Sequence, residues 1–163
     1  MIPKAVHRIL ELKQLRRRRA EDALRLRQAA LDNAVAAIET ASTDLRRWQE
    51  DRPRREAALY DPLIGKAAAL IDLDEVNAQV VSLRQHEQLL QKRLDATRAE
   101  AARSRQAREE AHSVAREAWR EVSKFEDFVR RLRTNATLEE ERSADLELED
   151  SLNGGTVWVV SKT

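Results

Sequence analysis

The chain of 163 residues is 36% charged and 42% hydrophobic, with three Gly, three Pro and no Cys. The lack of Cys excludes a disulfide framework and thiolate metal sites, and it suits a reducing compartment. Only 4% of the residues are aromatic, so large apolar side chains are too few for a thick globular core, but enough for a narrow seam between long helices.

No apolar run approaches the roughly 18 residues of a membrane span. The first residues, MIPKAVHRIL, lack the continuous apolar region of a secretory signal. The net charge is +1, unevenly spread. Residues 134–163 hold seven acids and two bases, a net −5, which leaves +6 on residues 1–133. A mildly basic body therefore carries an acidic tail.

The first helix is expected from about residue 4 to 60, beginning after Pro3 at a first helical position. Leu24, Leu31, Ile38 and Leu45 recur every seven residues. Ala34, Ala41 and Trp48 follow members of that series by three, and Val35 follows Leu31 by four. Such spacing places them on one stripe. The series extends back through Arg17 to Leu10 and forward through Arg52 to Leu59, so charge interrupts it twice. Pro53 is expected to kink or restart the helix.

A turn is expected over about residues 61–72, centred near 66, where Pro62 and Gly65 stand. The segment IDLDEV then reads as a helix start. Asp72 and Glu75 have capping-box spacing, and Ile71 and Val76 that of a hydrophobic staple. The second helix is expected over about 73–133. One stripe runs Val76, Leu83, Leu90, Thr97, Ser104, Ala111, Ala118, Phe125, Leu132. Its companion runs Val80, Glu87, Leu94, Ala101, Arg108, Ala115, Val122, Val129. Sustained heptads argue for a coiled coil. The stretch 97–118 offers mostly small side chains, which bury little, so a mobile waist is expected there.

Two helices of similar length joined by one turn predict an all-α, antiparallel two-helix coiled-coil hairpin over residues 4–133, followed by an acidic, short or disordered tail over 134–163. With the turn near 66, Phe125 and Val129 face Val6 and Ile2, and Val122 faces Leu10. Phe125 then closes the open end of the hairpin, while Phe128 and Trp119 sit beside the seam. Leu138, Leu146, Leu148 and Leu152 are too irregular to continue it, although residues 138–150 are able to extend the helix. The final TVWVV is β-prone; it reads as a frayed terminus or as a strand added to a partner.

No catalytic constellation is visible. His7, His86 and His112 are isolated from one another and read as solvated helix surface rather than metal ligands. Glu109–Glu110 and Glu139–Glu140–Glu141 are sequence neighbours, not carboxylates across a cleft. Gly154–Gly155 has no phosphate-loop pattern around it. The expectation is a protein without catalytic activity, cofactor or metal. The run Arg16, Arg17, Arg18, Arg19 sweeps round the helix, with Arg17 turned to the seam. Because Glu21 and Asp22 follow at once and no aromatics interleave, it reads as a solvated or protein-facing patch rather than a nucleic-acid site.

An N-terminal helix reading HRILELKQLRRRRAEDAL, a turn, a second long helix and then EVSKFEDFVRRL together resemble the YscO family, the type III secretion stalk proteins of injectisomes, themselves distantly similar to flagellar FliJ proteins. The resemblance covers roughly residues 4–133, and the TVWVV tail is no part of it. It implies a central stalk that inserts its open helix ends in a hexameric secretion ATPase and stimulates it. It also implies contact with the export-gate membrane protein and, for some members, with secretion chaperones. The implied setting is cytoplasmic, peripheral to the inner-membrane apparatus of a Gram-negative virulence system, with the free chain a monomer.

On that reading Phe125 closes the hairpin, while Phe128, Arg130 and Arg131, with Arg16, Arg17, Arg18 and Arg19 opposite, form the ATPase-facing tip. Trp48, Tyr60, Val80 and Val81 are the candidates for export-gate or chaperone contact, since rings favour interface hot spots. Trp48 has an alternative place in the seam against residues 85–87. Two other readings of the whole chain stand beside this one: a generic coiled-coil scaffold or tether acting as a homodimer, and a holdase gripping clients between helix tips, which the basic helix ends disfavour.

Overall fold

A computed structural model describes residues 3–65 and 70–154. Helix α1 spans Lys4–Tyr60 and helix α2 spans Leu70–Gly154, with a short 3-10 turn at Asp61–Leu63 between them. No strand occurs among the described residues. The fold is the expected antiparallel pair of long helices packed on each other.

The chain divides into two compact units. The first combines Met1–Glu21 with Ser113–Thr163; the second is Asp22–His112. The division falls within the stretch where small side chains were expected to weaken the seam.

The heptads of α2 hold throughout. Every position of the two stripes, from Val76 to Leu132, is buried or half-buried. Val80, Leu94, Ala101, Ala115, Val122 and Val129 are the deepest of the second stripe. On α1 the series Leu10, Arg17, Leu24, Leu31, Ile38, Leu45, Arg52, Leu59 is likewise buried or half-buried. Val35 is the exception at 48% exposure. One residue from Ala34, it lies about 100° further round the helix, and Ala34 takes the seam position. Alanine supplies Ala34, Ala41, Ala101 and Ala115 of the buried set. Each contributes one methyl, about 0.8 kcal/mol of burial, and lets the helices approach closely.

In the second unit Ala41, Leu45 and Leu94 form a buried cluster, with Ile38 and Leu90 packed against it. The charged interruptions of the heptads meet partners across the seam. Arg52 donates to Glu87, which also accepts from Gln49 Nε2 at 3.1 Å. Arg108 Nε donates to Gln28 Oε1 at 3.0 Å. In the first unit Arg17 is half-buried, its Nε 3.4 Å from Glu21 but not aligned for a hydrogen bond.

These pairs correct the register. In the first unit Lys13 meets Glu121 and Gln14 meets Glu126, whereas the sequence places Leu10 opposite Val122 and Val6 opposite Phe125. The true facing positions are shifted by several residues, so Phe125 lies near Lys13 instead. The 3-10 turn follows Tyr60, and the backbone leaves helical geometry only at Ile64 (φ −68°, ψ 124°) and Gly65 (φ +79°). A left-handed φ is the conformation that glycine adopts without a Cβ clash. Ile2 lies outside the described residues.

Three further expectations change. Helix α2 begins at Leu70, so Asp72 occupies its first turn rather than its cap, where a carboxylate still favours the helix dipole. Ile71 is 77% exposed and Val76 buried, so no staple joins them. The helix does not restart at Pro53, which lies inside α1. Finally, α2 continues past residue 133 to Gly154. Residues 137–152 are helical and exposed throughout, stabilised locally by Leu, Glu and Ala propensity and by side-chain bonds such as Ser143 Oγ to the Glu139 carbonyl. The TVWVV segment lies outside the described residues.

Removing Glu87 takes the cross-seam acceptor from half-buried Arg52, leaving it Glu56 at 3.5 Å on its own helix, and from exposed Gln49. Glu87→Ala is expected to lower unfolding stability by about 1–2 kcal/mol. The double change Arg52→Leu/Glu87→Leu is expected to recover that loss or exceed it, because an apolar layer incurs no desolvation cost. Chemical denaturation of the three chains checks this, and a double variant no more stable than the single one contradicts it.

Candidate functional site

The first unit carries the basic run and the aromatic cluster. Arg16 and Arg19 are three apart and share one flank of α1 with Lys13 and Ala20. On α2, Val114, Glu121 and Phe128 recur every seven residues and share one flank in turn. The two flanks meet in a groove of about 590 Å³ lined by Lys13, Arg16, Arg19, Ala20, Val114, Glu117, Ala118 and Glu121. Its wall is mainly apolar, with the Lys and Arg stems contributing. Val114 at its floor is 61% exposed.

Lys13 ties the groove together. Its Nζ lies 2.8 Å from Glu121 Oε2 and 5.8 Å from the centre of the Phe125 ring. Phe125 is half-buried and sits 5.8 Å from Phe128, ring to ring, at 40°. Phe128 is 49% exposed. The hydrogen bond from Lys13, and then its charge, hold the Glu121 carboxyl below its ordinary value of 4.5; desolvation opposes this and Lys124 adds a smaller push downward.

The expected tip is therefore only partly assembled. Arg16 and Arg19 line the groove beside residues 114–121, not beside Phe128. Arg17 is drawn to the seam, and Arg18 lies about 200° round the helix from Arg16. Phe125 and Phe128 form a pair further along. Arg130 is exposed and pairs with Asp127 at 3.3 Å, and Arg131 is exposed. Ile9 and Leu12, 43% and 55% exposed, share the Arg16 flank by their spacing and were not singled out in the sequence. Their signal was available: they fall off the seam heptad yet are apolar.

In the second unit Val80 is buried at 8% exposure, as its heptad place demands, and offers no contact surface. Trp48 is half-buried in the alternative place expected for it. It meets the His86 ring edge-on at 4.3 Å, and the Arg55 guanidinium lies 5.1 Å from it. Its Nε1 is buried with no protein acceptor. Tyr60 and Val81 are exposed, at 39% and 51%. Beside the turn, Ile64, Leu70 and Ile71 are each more than 70% exposed. Of these three, only Ile71 belonged to the expected staple, and it is exposed instead.

Among the described residues no group of His, Cys, Asp or Glu is placed to hold a metal ion. No described helix is long and apolar enough to cross a membrane.

A heptad seam between two antiparallel helices, with basic and aromatic residues exposed at 9–21 and 114–131, defines a coiled-coil hairpin protein. The model of the type III secretion protein YscO family matches residues 6–153, and the chain belongs to that family. No curated protein matches the chain significantly. The crystal structure of type III secretion protein YscO from Vibrio parahaemolyticus superposes with a TM-score of 0.80 at 19% identity, over 90% of this chain and 92% of that one. At that identity the likeness is one of fold.

The lowered carboxyl of Glu121 gives a pH test. A depressed folded-state value contributes stability above the ordinary carboxylate range and loses it as pH falls through the folded value. In Lys13→Met the Glu121 carboxyl is expected to titrate closer to 4.5 than in the parent. Side-chain NMR titration measures this; identical midpoints in the two chains contradict the Lys13 assignment.

Proposed function

We propose that this chain is a non-enzymatic central stalk of a type III protein secretion apparatus, acting in the cytoplasm at the inner-membrane export machinery. In this reading the basic, aromatic end of the first unit enters the pore of the hexameric secretion ATPase and raises its turnover. The observation that carries the reading is that a member of the YscO family exposes Arg16, Arg19 and Phe128 while long, heptad-bonded helices hold them. Arginine and aromatic side chains are the groups that most often anchor protein interfaces. A basic surface also steers encounter with an acidic pore.

The exposed apolar residues by the turn, with Tyr60 and Val81, serve as the second contact. An export-gate protein or a secretion chaperone presenting an apolar patch is the partner that such a surface fits.

The ATPase should be stimulated at low ratio, on the order of one chain per ring. Phe128→Ala combined with Arg130→Ala and Arg131→Ala is expected to reduce that stimulation at least tenfold with helicity unchanged. Tyr60→Ala should leave it intact. Steady-state ATP hydrolysis checks both. Full stimulation by the triple variant contradicts the assignment of this end.

A further inference from the structure

The groove of the first unit has unequal charge demands. Its acids are already met within the chain. Glu121 lies 2.8 Å from Lys13 Nζ and 3.8 Å from Lys124, and Glu117 lies 3.9 Å from Arg120. Arg16 and Arg19 line the same groove and are exposed. Neither has an ion pair among the described residues. The charge left over at the groove is therefore positive.

The apolar surface of the groove stands at two levels. Val114, Glu121 and Phe128 recur every seven residues on α2, as Ile9 and Arg16 do on α1. Val114 and Phe128 lie within about 40° of each other round α2, and Ile9 and Arg16 within about 20° round α1. Lys13 meeting Glu121 and Gln14 meeting Glu126 fix the local register. That register brings Ile9 level with Phe128, and Ala20 level with Glu117 and Ala118. Ile9 and Phe128 thus form one end; Ala20, Ala118 and Val114 form the other, with the Lys13–Glu121 bridge between. Ile9, Phe128 and Val114 are 43%, 49% and 61% exposed, whereas Val122 in the seam is 1% exposed. From Phe128 to Val114 the helix rises roughly 21 Å, about four turns.

A helix is the occupant that this shape admits. Both walls are helices whose backbone hydrogen bonds are internal, so an added strand would find no edge to pair with. A third helix satisfies its own backbone and lays one stripe of side chains between the other two. The small Ala20 and Ala118 let it approach closely. Its apolar residues cover the two exposed ends of the groove, and its flank must bring negative charge to Arg16 and Arg19.

We propose that this groove docks one acidic amphipathic helix of a partner protein, at least about four turns long, with its carboxylates set against Arg16 and Arg19. The contact uses the helix-in-groove mode, and the two arginines also steer the approach. The docking site does not depend on the stalk reading. If the chain acts as a stalk, the helix covers Arg16 and Phe128, so helix and ATPase ring exclude each other; that consequence alone rests on the proposed function.

The probe is a synthetic helix of about 21 residues, three heptads long, with Leu on one stripe and Glu on both flanks. Its twin carries Lys for every Glu. Titrated with the full-length chain and followed by fluorescence anisotropy, the Glu peptide is expected to bind one to one. It should bind at least tenfold tighter than the Lys peptide, with affinity falling as salt rises. Val114→Lys and Arg16→Glu are each expected to weaken it at least fivefold while circular dichroism stays unchanged. Arg133→Glu makes the same change in charge on the flank of α2 that carries Trp119 and should leave affinity within twofold. No binding of the Glu peptide overturns the proposal. So does equal binding of both peptides, or a loss with Arg133→Glu as large as with Arg16→Glu. None of these outcomes bears on ATPase stimulation, which is measured separately.

Discussion

The ion pair between Arg52 and Glu87 is the constraint on which the second unit turns. A seam built largely from Ala, Val and Leu is tolerant of sliding, because one heptad resembles the next. Arg52 is the only charge in its α1 series between Arg17 and the turn, and Glu87 is the only acid in the α2 stripes. Half-buried charges have a large desolvation cost unless they find each other. Slipping the helices by one heptad would set Arg52 against Val80 or Leu94 and Glu87 against Leu45 or Leu59. Register is thus specified by a penalty on the alternatives more than by attraction. Arg108 with Gln28 adds a second polar layer in this unit, and Lys13 with Glu121 plays the same part in the first.

Much of this was legible in the sequence, for a physical reason. Heptad spacing is a local signal, and α2 keeps it from Val76 to Leu132 without a break. The helix pair, the seam and the place of Arg17 at its edge followed from spacing alone. The register did not follow, because it depends on where the chain actually reverses. Heptad spacing within each helix carries no measure of how many residues the reversal between them takes up.

Asp72 with Glu75, and Ile71 with Val76, fit a helix-start pattern, but the helix begins two residues earlier and leaves Ile71 in solvent. Residues 134–154 looked like a tail because the seam has no partner there. Seam pairing and helix formation are separate requirements. Leucine, glutamate and alanine sustain the backbone hydrogen bonds without a second helix, and the exposed stripe of Leu138, Leu148 and Leu152 is what remains. Val80 and Trp48 were assigned to surface contact although their spacing placed them in the seam, and spacing was the better guide.

On the proposed function, the contact with a hexameric secretion ATPase is made through the end where Phe128 is exposed. A photo-cross-linking residue placed at position 128, and in a second chain at position 60, tests this directly with the assembled ATPase ring. Cross-links to the ring from position 128 and none from position 60 are the predicted result. Cross-links from position 60 alone, or from neither, would contradict it.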